Sequence, residues 1–270
     1  MSDPAHRRWQ PTPLIVISVL LHALALLALL PRPELWPWSL AVIAINQLLI
    51  TAAGLWPRSH WLGPNWTRLP AAAITRNEVA ITIDDGPDPL VTPAVLDILD
   101  AHGAHATFFC IGTQARAHPD LIADIVRRGH SVENHSQHHH HNFSLLGPRG
   151  FRREILAAQH TLSELSGQPP RFFRAPAGLR NPFLEPVLAH AGLRLASWTR
   201  RGYDTHERDP ARVAARLLDR LAAGDILLLH DGHAARTTDG QPVILAVLPR
   251  VLATCRAAGL RPVTLEDACQ

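Results

Sequence analysis

The chain has 270 residues, with 26 Arg and no Lys against 23 acidic residues, for a formal net charge of +3. That length accommodates one large domain or two small ones with a sizeable core, and so small and dispersed a charge excludes a nucleic-acid-binding surface. Cys110, Cys255 and Cys269 have no metal-type spacing and an odd count, which predicts free, mostly buried thiols rather than a disulfide framework.

The first feature along the chain is apolar. Residues 14–30, LIVISVLLHALALLALL, lie between Pro13 and Pro31, and at about 1.5 Å per residue such a run nearly crosses a ~30 Å hydrocarbon core. A second run, residues 38–56, begins and ends in Trp, where interfacial rings are favoured. Together they predict a membrane helical hairpin over residues 1–57. A signal peptide is the weaker reading, because it has a shorter apolar region and a small-residue cleavage site. Residues 58–76, rich in Pro, Trp and Arg and lacking periodicity, read as a linker. Arg7, Arg8, Arg58, Arg68 and Arg76 flank the hairpin on the side shared by the N-terminus and the following domain. The positive-inside rule then places both in the cytoplasm, whereas a single span would face the domain outward.

Beyond residue 76 strand-like and helix-like segments alternate. Strands are predicted at Val79–Asp84, Ala106–Gly112, His130–Asn134, Arg171–Ala175, Leu193–Trp198, Asp225–His230 and Arg261–Leu265. Helices are predicted between them, several ending at Gly. Seven strand–helix repeats predict a parallel α/β sheet, satisfied equally by a barrel or an open doubly wound form. In both, chemistry gathers at the C-terminal ends of the strands. That rim carries Asp84 and Asp85, then His135 and His139, then Arg174, Trp198, Asp204 and His230.

Six histidines fall in HSVENHSQHHHHNF, residues 130–143, far from either end, so the run is no terminal tag. His135 and His139, four apart, would share one face of a helical turn. With the oxygen of Asp85 they make three ligands, the number a catalytic ion needs when one position stays open for water. His138, His140 and His141 read as a solvated loop. TIDDGPD by itself reads better as an Asp-Asp-Gly-Pro turn than as a paired-carboxylate site.

These residues resemble the polysaccharide deacetylases of the NodB-homology type, carbohydrate esterase family four, over residues 77–266. TIDDGP, HSQHH, RAPAG and LLH match four ordered motifs of that family. The resemblance implies a distorted (β/α) barrel of about seven parallel strands. It implies Asp84 as catalytic base, Arg174 orienting it, His230 as general acid, and Asp85, His135 and His139 holding a divalent ion, Zn²⁺ or Co²⁺. It implies substrate contacts from Ala177, Trp198, Asp204 and Leu228, with Asp204 partnering Arg174 or His230. Ala177 stands where the family usually has an aromatic residue, and SWTRRGYDT departs from the usual acidic fourth motif. The expected activity is N-deacetylation of an amino sugar in a glycan or lipid-linked sugar at the membrane. Removal of a formyl or O-acetyl group is a second possibility, and an inactive membrane-anchored glycan-binding protein a third.

Overall fold

The structure, a computed structural model, describes residues 8–270; Arg7, part of the flanking charge pattern, lies outside them. Eight strands form one curled sheet: β1 (Glu78–Asp84), β2 (Thr107–Cys110), β3 (Ser131–Asn134), β4 (Phe172–Phe173), β5 (Arg194–Leu195), β6 (Arg200–Arg201), β7 (Ile226–His230) and β8 (Arg261–Val263). All pairings are parallel, in the order β5-β4-β3-β2-β1-β7-β6, with β8 beside the first residues of β1. Seven strands match the expected runs. The added one, β6, is two arginines with no apolar pattern, defined by its pairing with Leu227 and Leu228. β5 and β6 are the sheet's edges, so the barrel is incompletely closed.

The helices are α1 (Pro13–Ala28), α2 (Trp36–Leu55), α3 (Ala71–Thr75), α4 (Thr92–Ala101), α5 (Gly112–Ala117), α6 (Pro119–Arg127), α7 (Pro148–Ser166), α8 (Leu184–His190), α9 (Pro210–Leu218) and α10 (Val243–Ala257). α7 stops at Gly167, whose φ of 73° is the left-handed cap that Gly adopts without Cβ strain. Cys110 and Cys255 are buried, as expected of free thiols, whereas Cys269 is exposed.

Strand parity positions the site. Val79, Ile81, Ile83, Phe108, Cys110, Leu227 and Leu229 join one cluster with side chains of α4, α9 and α10. Ala80, Phe109, Ile226 and Leu228 belong to a second cluster on the other face. Successive strand residues alternate faces, so Thr82 and Asp84 follow Ala80 inward, and His230 follows Leu228. Asp84 and His230 are then direct neighbours in the β1–β7 register.

At the N-terminus α1 and α2 pack as a pair. Asn46 Nδ2 donates to Ser18 Oγ (3.0 Å) and Ser39 Oγ to the Ala25 carbonyl (2.9 Å), which fixes them antiparallel. The expectation of two spanning helices is met in part. Among the described residues only Pro33–Leu55 is long and apolar enough to cross a membrane, with mean hydropathy 1.7. α1 ends at Ala28 and has 16 residues, shorter than the apolar run because the chain turns ahead of Pro31. The segment read as a linker runs ordered along the domain. Leu62, Asn65 and Leu69 are buried, and Trp66 bridges Ala196 beyond the edge of β5.

Candidate active site

β1 delivers two adjacent carboxylates in different directions. Asp84 ends the strand, and Asp85 takes a left-handed φ of 74°, turning its side chain away from the strand's alternation. Asp84 Oδ1 accepts from Arg174 Nη1 at 2.6 Å. Arg174, 1% exposed, also donates to Thr82 Oγ1 and to the Ala196 and Ser197 carbonyls, and its guanidinium lies 4.1 Å from the Phe109 ring centroid. A buried guanidinium with this many acceptors and one carboxylate is fixed in place.

The structure brings Asp85, His135 and His139 together, but not through a helical turn. The stretch after β3 is a loop in which Ser136 and His139 have φ of 66° and 51°, and these left-handed residues fold the second imidazole back over the first. Both Nε2 atoms stand 3.2 Å from Asp85 Oδ1. His135 Nδ1 faces the Arg174 carbonyl at 2.8 Å, an acceptor, so Nδ1 carries the proton and Nε2 presents a lone pair. Asp85 Oδ1 is buried without a hydrogen-bond donor. Lone pairs aimed at a carboxylate oxygen repel unless a cation sits among them. Ligand atoms sharing a tetrahedral ion at ~2.0–2.1 Å are about 3.3 Å apart, so the spacing fits a divalent ion. Burial, then the His135 ring, pushes His139 down to about 4, leaving it neutral as a ligand must be. Burial works to raise Asp85, yet the carboxyl stays well below the usual carboxylate range, ionised as a ligand must be.

Opposite this group, His230 Nδ1 and its backbone N–H both donate to the Asp204 carboxylate at 2.8 Å. Of the two partners expected for Asp204, the structure selects His230. Burial lowers the imidazole's pKa, but the adjacent Asp204 charge outweighs it and raises His230 to about 9. Ala177 occupies a left-handed turn (φ 55°) at the exposed rim. Trp198 lies so close over Gly178 that a Cβ there would meet its ring at 2.5 Å. Leu228, 1% exposed, sits one inward position below His230.

Sequence reading missed two contributors, His233 and Asp231. His233 Nδ1 lies 3.3 Å from Asp85 Oδ2. Asp231, fully buried and raised by burial to about 7, accepts from Thr92 Oγ1 at 2.5 Å and wedges beneath Gly86. The signal was present in DGH directly after the β7 terminus, where the rim rule applies. His138 and His140 are exposed but face a carboxylate that sequence reading did not supply: His138 Nδ1 and His140 Nε2 lie 3.1 and 3.5 Å from Glu154 Oε1, and buried Glu154 ties the loop to α7. His141 remains exposed.

A family model described as polysaccharide deacetylase matches residues 72–196. The chain is 36% identical over 198 residues to a chitooligosaccharide deacetylase of Azorhizobium caulinodans, covering 70% of this chain and 94% of that protein. The chain belongs to the polysaccharide deacetylase family. A second relative of this deacetylase family chain, a peptidoglycan-N-acetylglucosamine deacetylase of Bacillus cereus, is 31% identical over 191 residues, covering 70% and 86% of the two chains. The same family fold is seen in a family 4 carbohydrate esterase from Streptomyces lividans, solved with acetate, at a TM-score of 0.62 and 31% identity over 68% of this chain and 91% of that one.

Proposed function

We propose that the chain hydrolyses the N-acetyl group of an amino sugar within a glycan or lipid-linked sugar, releasing acetate and a free amine, with a divalent ion held by Asp85, His135 and His139. The observation that carries the reading is the convergence, at one rim, of that two-imidazole, one-carboxylate group with the Asp84–Arg174 pair and the Asp204–His230 pair. A bound divalent ion, Zn²⁺ or Co²⁺ by the donor set, supplies Lewis acidity that acidifies water and polarises the acyl carbonyl.

The chain's own residues handle the protons. Arg174 occupies Asp84 Oδ1, so Oδ2, which points towards His135 Nε2 at 3.9 Å, is the oxygen left to take a proton from the attacking water. The N–H of Ala177, presented by its left-handed turn, is placed to donate to the developing oxyanion. His230, held protonated by Asp204, gives its proton to the departing amine. Trp198 and Leu228 supply apolar wall for the acyl methyl group.

Residues 77–266 form the catalytic unit in this reading, residues 1–57 anchor it to a membrane, and 58–76 connect the two. Val19, Leu20, Leu24, Leu40 and Leu48 of the paired helices point outward, uncovered by protein, as lipid-facing side chains would. Thr12 Oγ1 donates to the Trp61 carbonyl, so the start of α1 and the end of α2 lie on the domain's side. With the arginine pattern this supports a cytoplasmic domain.

The test is acetate release from an N-acetylglucosamine oligomer by the full chain. Release that a chelator abolishes and Zn²⁺ or Co²⁺ restores is the expected result. Oligomer binding without release by metal-loaded protein would replace the enzyme reading with the glycan-binding one, and activity restricted to formyl or O-acetyl substrates would change the acyl group.

A further inference from the structure

We propose that a second pocket, between α2 and the active site, binds the phosphate or diphosphate of a phosphorylated amino-sugar substrate; the assignment rests on the deacetylase reading of the neighbouring site. The cavity, about 360 Å³, is lined by Trp56, Arg58, Trp198, Arg201, Tyr203 and Arg216 among others. Its location ties three parts of the molecule together. Trp56 directly follows α2. Trp198 packs over Gly178, next to Ala177 at the site's rim. Tyr203 directly precedes Asp204, the partner of His230.

The charges in this pocket are unequal. Arg216 is paired with Glu207 at 3.3 Å. Among the described residues Arg201 has no ion-pair partner: its guanidinium lies 5.3 Å from the Trp198 ring and 5.0 Å from the Tyr203 ring, and its Nε is buried with no hydrogen-bond acceptor. Arg58 is exposed and makes one long contact, 3.4 Å to the Thr199 carbonyl. A buried donor without an acceptor is costly, and two guanidinium groups on one cavity repel. Both costs are relieved by one multivalent anion. Planar guanidinium forks match phosphate oxygens in pairs, and aromatic stacking holds Arg201 in orientation without neutralising it. Trp56 closes the one described helix long and apolar enough to cross a membrane, where an interfacial ring belongs, so the cavity lies at headgroup level when α2 is in a bilayer. A sugar linked through phosphate to a lipid would therefore place its phosphate here and its acylamino group at the neighbouring rim. A soluble sugar phosphate offers the same anion without the lipid.

The experiment uses the full, metal-loaded chain in neutral detergent micelles. Calorimetry with inorganic diphosphate, and separately with a long-chain alkyl phosphate mixed into the micelles, measures binding to the wild type and to Arg201→Ala, Arg201→Lys and Arg58→Ala. Both probes are expected to bind, the alkyl phosphate more tightly, and each Ala variant to weaken them by about tenfold or more, as loss of a charged hydrogen bond implies. Arg201→Lys, which keeps the charge but not the fork, should fall between. Failure of both probes to bind, or equal affinity in wild type and Ala variants, overturns the pocket. Diphosphate binding with no gain for the alkyl phosphate keeps the anion site and assigns it to a soluble sugar phosphate. Acetate release from the neutral oligomer is measured on the same preparations. Release without phosphate binding rejects this pocket alone, whereas phosphate binding without release on any acylated substrate rejects the deacetylase reading alone.

Discussion

Asp84 and Asp85 show how neighbouring carboxylates come to face different groups. One ends a strand against Arg174; the next, at φ 74°, faces two imidazoles. Asp84→Asn is therefore expected to retain metal and to lose activity by about 100- to 10,000-fold, the span of a general base. His139→Ala should lose the metal instead, and metal analysis of both purified variants checks the division. At His230 the Asp204 carboxylate raises the pKa to about 9, so the acid form is present below that pH and is lost as pH rises through it. The alkaline limb of the rate profile should sit near there, and Asp204→Asn should move it to lower pH because the stabilising charge is gone. His130, from the same histidine-rich stretch, has another role. Buried against Phe108, its ring accepts from the Ala106 N–H, and burial lowers it to about 4. Its depressed folded pKa means that stability is full above the unfolded value of about 6.5 and declines as pH falls towards 4. Denaturant midpoints across that window should show a loss that His130→Gln lessens.

At the scale of elements, the loop after β3 holds His135 and His139 and has no regular structure before the 3-10 turn at Phe143–Leu145. Its geometry comes from its neighbours. Glu154 on α7 accepts from the His138 N–H at 3.1 Å, and Phe143, 1% exposed, closes the loop with its ring 5.0 Å from Phe151 of α7 and 5.8 Å from Phe173 of β4. Phe143→Ala should lower stability by ~3–5 kcal/mol through the cavity it leaves. It should also weaken metal binding, although Phe143 touches no ligand. Thermal unfolding and a metal titration measure the two effects separately, and intact metal affinity would show that the loop is held without its aromatic anchor.

For the whole molecule, the α1–α2 pair stands against the α/β domain through few but specific contacts. Arg180 N–H donates to the Gly54 carbonyl, and the Pro57 carbonyl accepts from Ser197 Oγ at 2.7 Å beside Trp198. The helical pair and the site's wall are thus mechanically continuous. The full chain should sediment with membranes, resist alkaline extraction and be released by detergent. Alkaline phosphatase fused after Gln270 should stay inactive if the domain is cytoplasmic; strong activity would face the domain outward, as a single span predicts.

Periodicity alone determined much of this chain. The apolar runs VAITID and DILLLH mark two strands whose C-terminal ends carry Asp84 and His230, and a parallel sheet gathers such ends at one rim whatever the surrounding fold. The apolar runs near the N-terminus likewise declare themselves by composition. What needed the tertiary structure were relations between distant segments. β6 exists only because Leu227 and Leu228 pair with it. Asp204 meets His230 rather than Arg174 because residues 202–204 turn back across the end of β7. His135 and His139 meet for a reason that their spacing misstates: left-handed backbone at Ser136 and His139, held by α7, replaces the helical turn. Local pattern is short-ranged, so it fixes parity and burial, whereas the partner of a buried charge is chosen by the fold as a whole.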